Sequence, residues 1–279
     1  MLRSSLQWIV SQPDIVTSSE TNNPNTMNPE STNRLNAPIT GHPVVTHADW
    51  LFARKELLTR EKELTHLSDR VNEARRALPW EKVEMNYIFD GPNGKVTLAE
   101  LFGSKRQLII YHFMYAPGWE EGCEGCSHLS DHVDGARQHF EQVDVAFVAI
   151  SRGSLAEIEA YKKRMGWSFR WVSSGGNDFN YDYGVSFSPE QVASGDVGYN
   201  YGTTKAAYDE LPGVSVFYKD EAGNVFHTYS AYSRGLDILV GSLRFLDLTP
   251  KGRCDGEDSW LKRHDQYDEA PTTNSCGCK

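Results

Sequence analysis

Two thiols, Cys123 and Cys126, stand between an apolar run, Leu108-Ile-Ile-Tyr-His-Phe113, and a segment of helical periodicity. Cysteines in a Cys-x-x-Cys pair on the first turn of a helix can close a disulfide ring, and the helix amides and dipole favour a thiolate on the first of them. Cys123 is therefore the expected nucleophile and Cys126 the shielded resolving thiol. Glu120, Glu121 and Glu124 oppose the thiolate by repulsion. Weak thiolate stabilisation favours the disulfide, which predicts a reducing site nearer about −270 mV than about −120 mV. His112, on the preceding strand, is a candidate proton-transfer base, and equally a satisfied core histidine.

Other chemistries use the same residues. Cys123, Cys126, His128 and His132 are spaced Cys-x2-Cys-x-His-x3-His, so a zinc-stabilised binding module without redox turnover is the main alternative. A thiol peroxidase would be expected to carry a threonine three residues before its reactive cysteine. Glu120 holds that place relative to Cys123, and Cys123 itself relative to Cys126, so disulfide exchange takes precedence. No phosphate-cradling glycine loop or nicotinamide fingerprint occurs, and no bound cofactor or resident metal is expected. The expected substrate is a disulfide-containing protein or a small thiol, and reducing equivalents come from a partner protein or small thiol.

The dithiol needs a strand before it and a helix after it, and the surrounding pattern supplies both. Leu129, Val133, Ala136 and Phe140 fall on one helical face, followed by an apolar strand, Val143–Ile150, and a helix through Leu155, Ile158, Tyr161 and Met165. Val214–Tyr218 and Val225–Tyr229 read as a hairpin across Asp220-Glu-Ala-Gly-Asn224, and Leu236, Leu239, Val240, Leu243 and Leu246 give a last amphipathic helix. Strand, dithiol helix, strand, helix, hairpin and helix is the order of a thioredoxin-like α/β domain with a central mixed sheet and flanking helices. Pro212, just before the hairpin, stands where that fold commonly places a cis-proline facing its cysteines, a ledge for an extended substrate, and reads equally as an ordinary proline leading into a strand. Tyr181, Tyr183, Phe187, Tyr199 and Tyr201, interleaved with polar residues, suit a ligand rim or an insertion packed on the sheet.

Outside that domain the texture changes. Residues 1–44 are expected to be a disordered leader, since Ser, Thr, Asn and Pro dominate from Ser11 to His42 and offer little surface to bury. Its first ten residues faintly resemble a transit peptide, although with a single arginine a cytoplasmic location is the better expectation, and Met27 is an alternative start. Thr46-His-Ala-Asp49 resembles a helix cap, after which Trp50, Leu57, Leu64, Val71 and Leu78 repeat every seven residues, interrupted in the companion positions by Arg60. This predicts a long amphipathic helix, within residues 45–82 and ended by Pro79, packed on the core or on a second copy in a homodimer. The domain proper spans 83–253, and 254–279, with Cys254, Cys276 and Cys278, reads as a flexible tail.

Composition narrows the partners. A formal charge of −10 and a pI near 5.4 argue against nucleic acid and anionic membranes, and no apolar stretch is long enough to span a bilayer. Five unevenly spaced cysteines argue against a secreted disulfide framework.

The segments Ala74-Arg-Arg-Ala-Leu-Pro-Trp80, Gly118-Trp-Glu-Glu-Gly-Cys-Glu-Gly-Cys-Ser127, Lys162-Lys-Arg-Met-Gly-Trp167, Asp178-Phe-Asn-Tyr-Asp-Tyr-Gly-Val-Ser-Phe187 and Leu248-Thr-Pro-Lys-Gly-Arg253 carry a resemblance. From about Thr46 to Arg253 the chain resembles the thioredoxin-like family catalogued as domain of unknown function 899. The resemblance implies a thioredoxin-like fold and dithiol-disulfide oxidoreductase chemistry at Cys123 and Cys126. Glu124 stands where related sites carry a small or cyclic residue.

Overall fold

Thr46 accepts the Asp49 amide hydrogen on its hydroxyl and opens α1, His47–Arg76. The structure is a computed structural model that describes residues 38–206, 208–253 and 261–267. Most of the expected leader, with Met27, and Cys254, Cys276 and Cys278 lie outside the described residues. The residue before a proline avoids the α region, and α1 stops ahead of Pro79, as expected. Its heptad face does not pack on the body of the chain: no residue of α1 is buried, and Leu57 and Leu64 are 51% and 66% exposed. The expectation of a helix clamped on its own core is overturned, because regular apolar spacing announces a face without naming what covers it. Its C-terminal end meets the sheet, where the Arg75 guanidinium lies 4.9 Å from the centre of the Tyr229 ring.

Beyond α1 come β1 (Glu81–Lys82) and a hairpin, β2 (Ile88–Gly91) and β3 (Gly94–Thr97), leading through a Thr97–Glu100 capping box into α2 (Leu98–Leu101). The central run is β4 (Gln107–His112), α3 (Glu124–Asp131), α4 (Val133–Phe140), β5 (Val145–Ser151), α5 (Leu155–Arg164) and β6 (Arg170–Ser173). An insertion then adds α6 (Phe179–Asp182), α7 (Pro189–Ser194) and a small ribbon, β7 (Gly198–Tyr199) with β8 (Thr204–Lys205). The chain returns through β9 (Gly213–Lys219), β10 (Val225–Tyr232), a 3-10 segment Ser233–Leu239 and α8 (Gly241–Asp247).

Eight strands form one sheet in the order β1-β10-β9-β4-β5-β6-β2-β3. β4, β5 and β6 are parallel, whereas β9 runs antiparallel to β4 and to β10. A βαβ unit beside an antiparallel hairpin, with β4 between β9 and β5, is the core of a thioredoxin-like fold, and the chain has that fold. Two crossovers of the same hand in the same direction place α3, α4 and α5 on one face. Strand alternation divides the core accordingly. Tyr111, Phe147, Ala149 and Trp171 pack with Cys126, Leu129 and Tyr161, while Leu108, Ile110, Val148 and Ile150 pack with Phe89, Phe102 and Phe179 on the other face. No helix among the described residues is long and apolar enough to cross a membrane.

Two helices differ from expectation. The segment read as one helix through Phe140 breaks at His132, whose ring Nδ1 donates to the His128 carbonyl at 2.7 Å while its amide bonds the Leu129 carbonyl instead. The side chain thus takes the acceptor an α-helical amide would use. The last helix likewise divides at Val240. There the Ser242 amide donates to His132 Nε2 at 3.0 Å, and α8 starts against that ring.

Candidate redox site

Strand β4 ends beside the dithiol and fixes it through backbone bonds. The Cys123 amide donates to the Met114 carbonyl at 3.2 Å, and the Met114 amide donates to Cys126 Sγ at 3.4 Å. Cys123 is the N-cap residue of α3, and its carbonyl accepts from the Ser127 amide at 2.9 Å and the Ser127 hydroxyl at 2.8 Å. The Tyr161 hydroxyl from α5 lies 2.8 Å from that serine oxygen. Gly122 has no room for a side chain: a Cβ there would stand 2.6 Å from the Phe113 ring and 2.8 Å from the Tyr161 ring. Upstream, the Gly118 amide donates to Glu157 of the α5 capping box at 3.1 Å, which ties the loop before the cysteines to the next helix.

The two thiols sit in opposite environments. Cys123 is partly exposed and Cys126 is buried, both free. The Cys126 thiol, then the amides of Cys126 and Gly125, hydrogen-bond the Cys123 sulfur and bring its pKa down to about 6, against burial and the Glu124 charge. Burial pushes Cys126 well above the ordinary thiol range, opposed by bonds from the Tyr111 hydroxyl and the Met114 amide. The repulsion expected from the local acids is outweighed. Glu121 pairs with Arg164 of α5, which holds its carboxyl below the usual range, and with Arg263 Nη1 at 2.8 Å. Arg263 belongs to residues 261–267, which lie against the dithiol helix rather than trailing away as the tail expected over 254–279.

His112 is not brought to the thiols. Strand alternation turns Tyr111 toward the dithiol face and His112 toward the other, where its ring stacks on Phe179 and Tyr183. Burial pushes its pKa down to about 3, and its Nε2 bonds Ser215 Oγ at 2.9 Å. That contact continues to Ser230 at 2.8 Å and from Ser230 to His227 Nε2 at 2.7 Å. Tyr111 is the group that sequence reasoning missed; alternation along β4 sets it opposite His112, and only the packing of α3 settles which of the two meets the thiols. Arg263 carried no signal, because only folding brings it to the loop.

The remaining candidates are also placed. Pro212 stands just ahead of β9 with a trans peptide bond, which sets aside the cis-proline reading and leaves that of an ordinary proline, and its carbonyl accepts the Tyr199 hydroxyl. His128 and His132 turn to α8, with His128 Nε2 2.5 Å from Ser242 Oγ. Among the described residues no three His, Cys, Asp or Glu side chains gather to hold a metal. In the aromatic stretch Phe187 and Tyr199 are buried with Val185 and Tyr232, which is packing of an insertion, while Tyr201 is exposed. Tyr201 also borders an open cleft of about 580 Å³ with Glu81, Tyr87, Tyr183 and His227.

Comparison with solved structures finds peroxiredoxins. Peroxiredoxin Q of Xanthomonas campestris is 13% identical over 60% of this chain and 97% of its own, with a TM-score of 0.41. Peroxidoxin BcpB of Mycobacterium tuberculosis is 14% identical over 61% and 97%, with a TM-score of 0.40. The mitochondrial 2-Cys peroxiredoxin of Plasmodium falciparum is 17% identical over 62% and 98%, with a TM-score of 0.35. Likeness at that level carries no inference about chemistry. No curated protein matches the chain in sequence. The family model described as bacterial protein of unknown function, DUF899, matches residues 39–267, and the chain belongs to that family.

Proposed function

We propose that the chain is a dithiol-disulfide oxidoreductase with Cys123 as nucleophile and Cys126 as resolving thiol. The observation that carries this reading is the asymmetry of the pair, an accessible sulfur with a pKa near 6 beside a buried one raised well above its ordinary value. The first is ionised at neutral pH and the second keeps its proton. In the proposed reaction the Cys123 thiolate attacks one sulfur of a substrate disulfide. A mixed disulfide forms, and the other substrate sulfur leaves as a thiolate that takes up a proton. Cys126 then loses its proton and attacks Cys123 Sγ, which closes the protein disulfide and releases the second substrate thiol. Tyr111, whose hydroxyl donates to Cys126, stabilises the negative charge that develops there. A thiol reductant returns the two electrons and completes the cycle.

The test uses the full chain with Cys254, Cys276 and Cys278 replaced by serine, so that only the pair reports. Reduction of a model disulfide by dithiothreitol should be catalysed, Cys123→Ser should abolish turnover, and Cys126→Ser should accumulate mixed disulfides while still alkylating at Cys123. Hydrogen peroxide is run in parallel. Rapid peroxide consumption without disulfide reduction would reassign the electrophile, and an alkylation midpoint at about 8.5, the value of a free thiol, would refute the reading.

A further inference from the structure

We propose that residues 261–267 are part of the redox site and that Arg263 is a positioning residue for Cys123, clamping the Gly122–Cys123 peptide and screening Glu121 and Glu124 from the thiolate. The inference rests on the dithiol reading above and extends it to a segment far away in sequence. Arg263 Nε and Nη2 both donate to the Gly122 carbonyl, at 3.0 and 2.7 Å. The amide of the same peptide unit, that of Cys123, donates to Met114 O at 3.2 Å. One peptide is therefore held at both ends, and its orientation sets where the Cys123 sulfur lies relative to the first amides of α3. Nη1 faces Glu121 Oε2 at 2.8 Å and Glu124 Oε1 at 3.4 Å, and donates to Gln266 Oε1 at 3.1 Å. The guanidinium side chain is only 12% exposed, so these pairings act in a medium less screening than water.

The segment is fastened at several other points. Arg164 of α5 reaches Glu121 and, at 2.7 Å, Asp265. His264 Nδ1 lies 2.7 Å from Asp131 Oδ1 at the end of α3, an oxygen that also accepts the Trp167 indole N–H at 2.8 Å. Gln266 Nε2 donates to Glu121 Oε1 at 3.3 Å. The clasp thus spans both ends of the dithiol helix and the neighbouring α5. It brings a second guanidinium, beside that of Arg164, to a loop whose own sequence carries only acids.

Full-length chains in the triple-serine background test the assignment through the pH dependence of Cys123 alkylation by iodoacetamide, with thermal melting recorded on each. Arg263→Gln should slow alkylation about five-fold at pH well below the midpoint, because Glu121 and Glu124 lose the cation that offsets them beside the thiolate. Arg263→Lys should recover part of the rate, since it keeps the charge and loses the two-pronged bond. Adding Glu124→Gln to Arg263→Gln should restore most of it. Glu124→Gln alone, an exposed change that leaves the fold intact, should accelerate alkylation less than it does beside Arg263→Gln. A low wild-type midpoint that Arg263→Gln does not move overturns the clasp alone. So does a slowing that neither the Arg263→Lys variant nor the added Glu124→Gln relieves. An ordinary thiol midpoint in the wild type overturns the dithiol reading and this proposal with it.

Discussion

In the proposed cycle the Cys123 thiolate takes a bond from the Cys126 thiol and then bonds from the amides of Cys126 and Gly125, so its stabilisation comes from its partner sulfur and the first helical turn. A stabilised thiolate favours the dithiol over the disulfide. The potential should therefore move from about −270 mV toward less negative values, contrary to the expectation built on the local acids alone. His112 illustrates a different residue-scale effect. Its pKa is about 3 in the folded chain against an ordinary value of 6.5, so between those values the unfolded chain binds a proton that the folded chain refuses. Stability contributed by the neutral ring is present above pH 6.5 and is lost as pH falls toward 3. Melting temperatures recorded over that window should fall on acidification, and His112→Asn should flatten the fall; an unchanged slope would exclude His112 as the titrating group.

Elements are joined here by side chains that their own sequences do not advertise. Arg152, in the loop after β5, pairs with Glu210 at the end of the insertion, and Glu210 Oε2 accepts the Ser186 hydroxyl at 2.9 Å. The arginine also lies over the Tyr181 ring at 5.0 Å. Glu210 is 1% exposed, and burial pushes its carboxyl above the usual range in spite of the arginine. Removing Glu210 leaves Arg152, in a poorly solvated place, with the longer 3.9 Å contact to Asp209 in place of its close partner. Glu210→Ala should cost about 3 kcal/mol and lower the melting temperature by roughly 6 °C or more. A loss near zero would show that water reaches Arg152 freely. The breaks at His132 and Val240 belong to the same scale: Leu129, Val133, Ala136 and Phe140 correctly announced a helical face, but the ring of His132 redirects the bonds that would have kept it continuous.

For the whole molecule, the sheet and its α3–α5 face form the body, while the heptad stripe of α1 is exposed. Since no α1 residue is buried, Leu57→Asp with Leu64→Asp should leave the melting temperature of the body within about 2 °C. A larger drop in calorimetry would show that the stripe packs on the same chain. Much of the fold was legible in the order of apolar runs, because strands buried on both faces and amphipathic helices each leave a periodic trace. The Cys123–Cys126 pair, its place at a helix start and the hairpin of β9 and β10 were determined by the sequence on its own, through local spacing and turn residues. Only the tertiary structure decided that Tyr111 and not His112 faces the thiols, that Pro212 keeps a trans bond and that Arg263 returns to Gly122. Local backbone preference is written in neighbouring residues, whereas the meeting of charges and hydroxyls across the chain depends on how the elements pack.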